Sequence, residues 1–419
     1  MAAKRWQFWI DRGGTFTDVV ALRPDGRIET AKLLSENPVQ YRDAAAEGIR
    51  RIVADGDGLE AVKMGTTVAT NALLERRGTP TVLVVTEGFR DALTIGYQNR
   101  PDIFALNILK PAPIHARVVE ARERIDAHGN VLVALDEATV RDSLAESFDR
   151  GIRAVAICLV HGYRFREHEA RIAAIASSIG FTQVSVSYDV EPLIKFVSRG
   201  ETTLADAYLT PVLSAYIGDL QTELATVATP ERLLFMQSNG GLTLAAQFRG
   251  KNSVLSGPAA GVVGMVETAS KAGFRRLIGF DMGGTSTDVS AWSGRYERSN
   301  DSEIAGVRLR APMMKIHTIA AGGGSILTYR DQRYQVGPES AGAVPGPACY
   351  RRGGPLAVTD ANVLLGRIPV DQFPQVFGPE GNQPLDTAVV RDRFAELAAE
   401  VSADTGRTVL PETVAEGFL

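Results

Sequence analysis

Cysteine is scarce in this chain of 419 residues: Cys158 and Cys349 are too few for a disulfide framework or a cysteine zinc site. Cys158, inside the apolar run 155–160, reads as core packing. Histidine is scarce too. His115, His128, His161, His168 and His317 show no metal-ligand spacing, and no Ser-His-Asp or Cys-His set is legible around them. Positive charge is not in excess: 45 Lys and Arg against 49 Asp and Glu give a net charge of −4, which excludes the basic footprint of a nucleic-acid binder. No apolar run approaches the roughly 18 residues that cross a bilayer. Met-Ala-Ala-Lys-Arg-Trp leads straight into a strand-like stretch, without the apolar core of a signal peptide. The expectation is a cytoplasmic protein in a reduced compartment, with neither nucleic acid nor membrane as partner.

What is present is ordinary globular composition, 45% hydrophobic and 22% charged, plus clustered glycine. The length exceeds one core, so two domains are expected, 1–225 and 226–419, with the break near Ala228-Thr229-Pro230. Apolar patterning predicts strands at 6–10, 17–22 and 28–33, a helix over 44–53, a strand at 61–64, a helix over 68–77 and a strand at 81–86. A hairpin is expected from 117–125 and 131–135, then helices over 137–148 and 167–178 and strands at 154–160 and 183–187. Residues 200–227 read as helix interrupted at Pro211, with Glu201 and Asp206 solvated or capping. Further strands are expected at 233–236, 253–255 and 277–280. Ser256-Gly257-Pro258 opens a helix to about Ala272, and more helices are expected over 387–402 and 412–419. Residues 337–355 read as a loop. The last helix has no following cap, which reads as a truncated chain.

One motif occurs twice. Ile10-Asp11-Arg12-Gly13-Gly14-Thr15-Phe16-Thr17-Asp18-Val19 matches Phe280-Asp281-Met282-Gly283-Gly284-Thr285-Ser286-Thr287-Asp288-Val289. Such a match arises by chance in fewer than roughly one in ten million windows. Paired glycines let the backbone approach an anion and permit φ > 0, so that successive N–H groups point at one phosphate. Thr15 and Thr285 add hydroxyl donors. Asp11 and Asp281, at strand ends, are placed to hold Mg²⁺ directly or through water. Asp18 and Asp288 either bind water near the metal or cap their own turns. No lysine follows and the next element is a strand, so this is neither a Walker A loop nor a dinucleotide Gly-x-Gly-x-x-Gly. Two such loops imply two related domains facing each other across a nucleotide cleft.

Other candidates surround them. Gly65-Thr66-Thr67 closes a strand and opens a helix, either as an anion site for a substrate carboxylate or as an ordinary N-cap, with Asn71 one turn on. Arg90, Arg100 and Asp102 sit in an irregular stretch with Tyr97 and Gln98. Arg100 either pairs with a substrate carboxylate or belongs to a solvated loop. Ser238-Asn239-Gly240-Gly241 and Ser256-Gly257 end strands that line the expected cleft. Gly322-Gly323-Gly324-Ser325 either approaches the nucleotide or is a plain turn.

With the paired loops in place, the order of the first elements resembles the ribonuclease-H-like unit of the actin/sugar-kinase ATPase superfamily. The whole chain resembles the hydantoinase A/oxoprolinase family. The resemblance is carried by the two loops, by 64–76 (Met-Gly-Thr-Thr-Val-Ala-Thr-Asn-Ala-Leu-Leu-Glu-Arg), by Ser256-Gly-Pro-Ala259 and Ala321-Gly-Gly-Gly-Ser325, and by 337–342, 345–350 and 358–362. Arg12 and Met64 favour its oxoprolinase branch over hydantoinases. The resemblance implies an α/β fold of two ribonuclease-H-like domains with mixed sheets flanked by helices. It implies ATP and Mg²⁺ as cofactors, Asp11 and Asp281 as catalytic and metal-binding residues, and phosphates held by Gly13, Gly14, Thr15, Gly283, Gly284, Thr285 and Gly322–Gly324. It places Thr66, Thr67, Asn71 and Arg100 at the substrate. The implied activity is ATP-dependent hydrolysis of a cyclic amide, 5-oxo-L-proline to L-glutamate, with a hydantoinase B-type domain or subunit and a homo-oligomer as partners. Rival readings are a hydantoinase, a ketone carboxylase subunit and a non-catalytic actin-like subunit. A later glycine-rich adenosine loop, expected of the fold, is absent from these residues.

Overall fold

The computed structural model describes residues 5–54, 57–97, 104–108 and 110–419. Three strands open the chain, β1 (Trp6–Arg12), β2 (Phe16–Leu22) and β3 (Ile28–Leu34), followed by α1 (Ala44–Ile52), β4 (Leu59–Thr66) and α2 (Val68–Leu74). An inserted unit comes next. It runs through β5 (Thr81–Thr86), α3 (Ala92–Ile95), β6 (Arg117–Ala121), β7 (Arg124–Ile125), β8 (Val131–Val133), α4 (Glu137–Asp149), β9 (Ala154–Cys158), α5 (Glu167–Ile179), β10 (Gln183–Val186) and α6 (Ser187–Val190). The long helix α7 (Phe196–Ala225) returns to β11 (Arg232–Met236) and β12 (Leu242–Leu244). Helix α8 (Ser256–Lys271) then leads into β13 (Leu277–Met282) and β14 (Thr287–Trp292). Strands β15 (Arg298–Ser299), β16 (Ser302–Ile304), β17 (Val307–Leu309) and β18 (Met313–Met314) form two small ribbons, β15 with β18 and β16 with β17. After β19 (His317–Ile319) come the β20–β21 hairpin (Ser325–Arg330, Arg333–Ser340) and helices α9 (Val358–Leu364), α10 (Thr387–Thr405) and α11 (Pro411–Phe418).

The main sheet has the order β3-β2-β1-β4-β11-β12. Strands β1 to β3 are antiparallel, while β4 and β11 run parallel to β1. This fits their sequences. Trp6, Phe8 and Ile10 alternate inward along β1, as a half-buried strand requires. The inserted sheet, β10-β9-β5-β6, is entirely parallel, and all six residues of β5 are buried. The fold is therefore α/β with mixed sheets flanked by helices, as expected.

Several expectations give way. Strands β11 and β12 fall after the expected boundary at 225, yet β11 pairs with β4 and extends the first sheet. Residues 253–255 form a turn rather than a strand. Strand β6 pairs in parallel with β5, so the hairpin shrinks to β7 and β8. The 337–355 stretch is not all loop: β21 runs to Ser340, and Ala348–Tyr350 is a buried 3-10 turn. Helix α7 continues through Pro211. A proline inside a helix costs about 3 kcal/mol. Leu204, Ala207 and Leu209 before it and Leu213, Leu220 and Leu224 after it are all buried, so packing on both sides outweighs that cost.

The second loop motif lies in a smaller, three-stranded sheet, β13-β14-β19. Its hairpin register repeats the first: Asp11 faces Asp18, and Asp281 faces Asp288. The covering differs. Phe8 and Ile10 are 0% and 3% exposed, in a core with Ile49 of α1 and Leu209 and Leu213 of α7. Their counterparts Ile278 and Phe280 are 81% and 70% exposed, and β13 is an edge strand. Phe8→Ala is therefore expected to cost about 3–5 kcal/mol in urea unfolding. Ile278→Ala, at the equivalent place in the second hairpin, should change stability by no more than about 0.5 kcal/mol. Equal losses would mean that the second hairpin is covered as the first is.

Candidate active site

The two loops meet. Both are closed by the same backbone hydrogen bond, Gly13 N–H to Phe16 O at 3.0 Å and Gly283 N–H to Ser286 O at 2.9 Å. A Cβ on Gly284 would lie 2.3 Å from Thr15 Oγ1, and one on Gly14 would lie 3.8 Å from Thr285 Oγ1. Each threonine hydroxyl thus faces a glycine of the opposite loop. None of Gly13, Gly14, Gly283 and Gly284 has positive φ, contrary to expectation. Close approach, not left-handed backbone, is what requires glycine at 284. Among the described residues, the N–H groups of Gly14, Thr15, Gly284 and Thr285 have no hydrogen-bond partner, so both loops present free donors.

The shared threonines and aspartates divide their work. Thr17 and Thr287, buried, anchor the loops from behind: Thr17 Oγ1 meets Ser35 Oγ at 3.0 Å, and Thr287 Oγ1 donates to Ala321 O at 2.6 Å. Ser35 also donates to Gly13 O. Asp18 is held by Lys32 Nζ at 2.6 Å, and Asp288 accepts from Thr318 Oγ1 at 2.6 Å. Both partners stand opposite on the neighbouring strand. Asp11 and Asp281, by contrast, make no ion pair or side-chain hydrogen bond among the described residues. Protein crowding around Asp11, together with the charges of Asp18 and Asp281, lifts its pKa from 3.8 to about 6.

The ends of other elements converge on Asp11. It stands opposite Gly65 in the parallel β1–β4 register. Its Oδ1 would lie 3.2 Å from a Cβ on Gly65 and 3.5 Å from one on Gly257, at the start of α8. Ser256 Oγ donates to Thr66 O at 2.8 Å, and the Leu255 N–H donates to Thr70 Oγ1 at 2.9 Å, locking α8 onto the end of β4. Thr66 is buried and accepts the Val68 N–H, so its hydroxyl caps the turn rather than facing the cleft. Thr67 bonds Arg12 O through N–H and hydroxyl, at 3.3 and 3.4 Å. Asn71 is half-buried and its side chain makes no hydrogen bond among the described residues. Arg100, with Gln98 and Asp102, lies outside the described residues.

Gly322–Gly324 buttress the second loop. The N–H groups of Gly323 and Gly324 donate to Gly283 O and Gly284 O at 2.9 and 2.6 Å, and Thr359 Oγ1 donates to Gly323 O at 2.8 Å. Gly322 and Gly324 are buried, with their backbone against the loop. Arg12 points away from the cleft. Its guanidinium lies over Tyr216 of α7, 5.1 Å from the ring, and its Nε is 3.9 Å from Asp43, the N-cap of α1. Met64 is likewise buried in the main core. Neither branch-marking residue touches the site. Arg90 pairs with Glu120. His168 is buried against Glu123 at 2.7 Å in the inserted unit.

Among the described residues, no group of three or more His, Cys, Asp or Glu forms a metal cage. Asp11 and Asp281 still fit Mg²⁺ in its usual nucleotide mode, one or two carboxylates with phosphate oxygens and water completing the shell.

Asp11 gives a stability test. A carboxyl whose folded pKa lies above its unfolded value binds more protons when folded. Stability therefore falls as pH rises from about 4 to about 6, and the penalty persists above that. Asp11→Asn should raise the midpoint of thermal unfolding at pH 7.5, and the gain should vanish near pH 4. A gain independent of pH would contradict the crowding of Asp11.

The chain matches two family profiles, "Hydantoinase/oxoprolinase N-terminal region" over residues 7–180 and "Hydantoinase/oxoprolinase" over residues 199–419. It is 42% identical to 5-oxoprolinase 1 of Arabidopsis thaliana over 99% of this chain and 36% of that protein. Caprolactamase subunit alpha of Pseudomonas jessenii is 34% identical over 87% of this chain and 55% of its own length. The crystal structure of the ATP-dependent caprolactamase from Pseudomonas jessenii superposes with a TM-score of 0.71 at 30% identity, covering 98% of this chain and 61% of that one. Nucleotide-free acetone carboxylase superposes with a TM-score of 0.78 at 24% identity, over 98% of this chain and 60% of that one, a likeness of fold. The chain spans about a third of the length of the curated 5-oxoprolinases it matches.

Proposed function

This chain belongs to the hydantoinase/oxoprolinase family, and we propose that it supplies the phosphate-binding part of an ATP-dependent hydrolase that opens 5-oxo-L-proline to L-glutamate. One observation carries the reading: two loops of one motif and register face each other, each with N–H groups and a leading aspartate that have no hydrogen-bond or ion-pair partner among the described residues. That arrangement suits the polyphosphate of a nucleotide gripped from both sides. Identity of 42% to a 5-oxoprolinase, against 34% to a caprolactamase subunit, favours the five-membered lactam.

The chemistry follows from the substrate. A five-membered lactam is an unstrained amide that water opens slowly. The γ-phosphoryl group of ATP passes to the lactam carbonyl oxygen, and ADP leaves. Water then adds to the activated carbon. The C–N bond breaks and the ring nitrogen takes a proton to become the amine. This leaves an acyl phosphate, which a second water hydrolyses to the carboxylate and inorganic phosphate. Phosphoryl transfer needs positioning and charge neutralisation more than covalent help from the protein. Gly13, Gly14, Thr15, Gly283, Gly284 and Thr285 donate to phosphate oxygens. Asp11 and Asp281 would hold Mg²⁺, which would supply charge neutralisation for the transfer. Gly322–Gly324 fix the second loop. Thr67 and Asn71 lie on the substrate side, with Arg100 as the carboxylate partner. A hydantoinase B-type domain or subunit works beside this part, within a homo-oligomer.

Calorimetry tests this. Mg-ATP should bind saturably to the chain, more tightly with 5-oxoproline present. Asp281→Asn should weaken binding at least tenfold, about 1.4 kcal/mol. Binding unchanged by Asp281→Asn, or tightened by caprolactam but not by 5-oxoproline, would overturn the assignment.

A further inference from the structure

A second site lies away from the loops. Between β10, α7 and the turn after β12 is an open cavity of about 360 Å³. Its lining comes from 183–190, 206–221 and 245–249, so it shares no residue with the phosphate loops, Gly65–Thr67 or the start of α8. Its volume is at the lower end of small-molecule pockets, about 300–1,000 Å³. It sits where the inserted sheet meets the main sheet, and such junctions commonly hold ligands.

Its chemistry is dipolar. Asp206, expected to be solvated, is 2% exposed within α7. Ser185 Oγ donates to its Oδ2 at 2.9 Å, and the Lys251 N–H and Thr210 Oγ1 to its Oδ1 at 3.2 and 3.4 Å, with no ion pair among the described residues. Burial pushes its carboxyl above the ordinary range. Arg249 stands exposed on the lining, its Nη1 2.6 Å from Asp189. A guanidinium has five N–H donors, so this single hydrogen bond leaves capacity for a ligand carboxylate. On α7, Gly218 lines the same space, and a Cβ there would meet nothing within 4 Å.

We propose that this cavity binds a small zwitterion of the α-amino acid class, its ammonium on Asp206 and its carboxylate on Arg249. A buried carboxyl that only hydrogen bonds hold, with Arg249 and Lys251 acting on it from beyond ion-pair distance, is costly to a fold and is commonly kept where a ligand completes it. A guanidinium at the mouth and a carboxyl in the wall match the two charges of an amino acid. A lactam acid would satisfy only one. The inference does not rest on the reaction proposed above, although L-glutamate falls in the same class.

The test is thermal unfolding of the whole chain with each of the twenty L-amino acids at 10 mM. At least one should raise the midpoint saturably. Its des-amino analogue should bind at least tenfold more weakly. Arg249→Gln and Asp206→Asn should each weaken binding at least tenfold. Gly218→Phe fills the cavity without touching the Asp206 hydrogen bonds and should abolish binding while the chain stays folded. No shift with any of the twenty overturns the proposal, as does a shift that survives both Gly218→Phe and Arg249→Gln.

Discussion

Everything at the centre of this molecule follows from the contact between Thr15 and Gly284. With any side chain at 284, the two loops would be forced apart, because a Cβ there would fall inside the Thr15 hydroxyl. Given glycine, the hairpins dock tip to tip, and the charges at their bases are drawn toward one another. Protein crowding first, and then the charges of Asp18 and Asp281, make Asp11 hold its proton to about pH 6. Carboxylates brought together are unfavourable in the protein alone, and Lys32 offsets this only in part. The metal ion of the proposed function would make the same arrangement favourable. The site is thus strained toward its ligand, while its scaffold is satisfied elsewhere by Ser35, Thr287 and Gly322–Gly324.

Phe16 adds a mechanical consequence. It follows Thr15 directly, and its ring packs edge-on to Tyr350, Phe373 and Phe377 at 6.1, 6.1 and 6.4 Å. Leu34 joins the same cluster, with Val390 and Phe394 of α10 and Phe418 of α11. Helices α10 and α11 therefore grip the first loop, although they follow the second in sequence, while Thr359 of α9 braces the second through Gly323.

The repeated motif was legible because the shared positions carry physical duties, and chance does not assemble six such positions twice. Most of the elements were legible for the ordinary reason of hydrophobic period. The membership of β11 in the first sheet was not, because a short apolar run such as 232–236 does not say which strand it joins across more than 160 residues. The path of α7 through Pro211 was hidden because local propensity opposed it and distant packing decided it. The burial of Asp206 was hidden in the same way, since its partners Ser185 and Lys251 lie on other elements. The orientation of Arg12 was available. Successive strand residues face opposite sides, so if Asp11 faces the cleft, Arg12 faces the core. Arg100 sits in a stretch whose pattern is irregular, and there the sequence offered residue chemistry without geometry.

The two repeats are alike in loop and unlike in support, and the difference sets their mechanical roles. The first hairpin is buried beneath α1 and α7 and clamped by the cluster around Phe16. The second is an edge hairpin, held by α8 on one face and by Gly323 and Gly324 behind its loop. Ile278 and Phe280 are left in water on its other face. Local stability follows buried apolar contact, so the second hairpin has the lower cost of displacement. A nucleotide site that opens and closes needs one fixed wall and one movable wall. In the proposed reaction the first loop is the fixed wall. The second is the movable wall, because the N-terminus of α8, locked to the end of β4 by Ser256 and Leu255, stays beside Asp11 with the first loop.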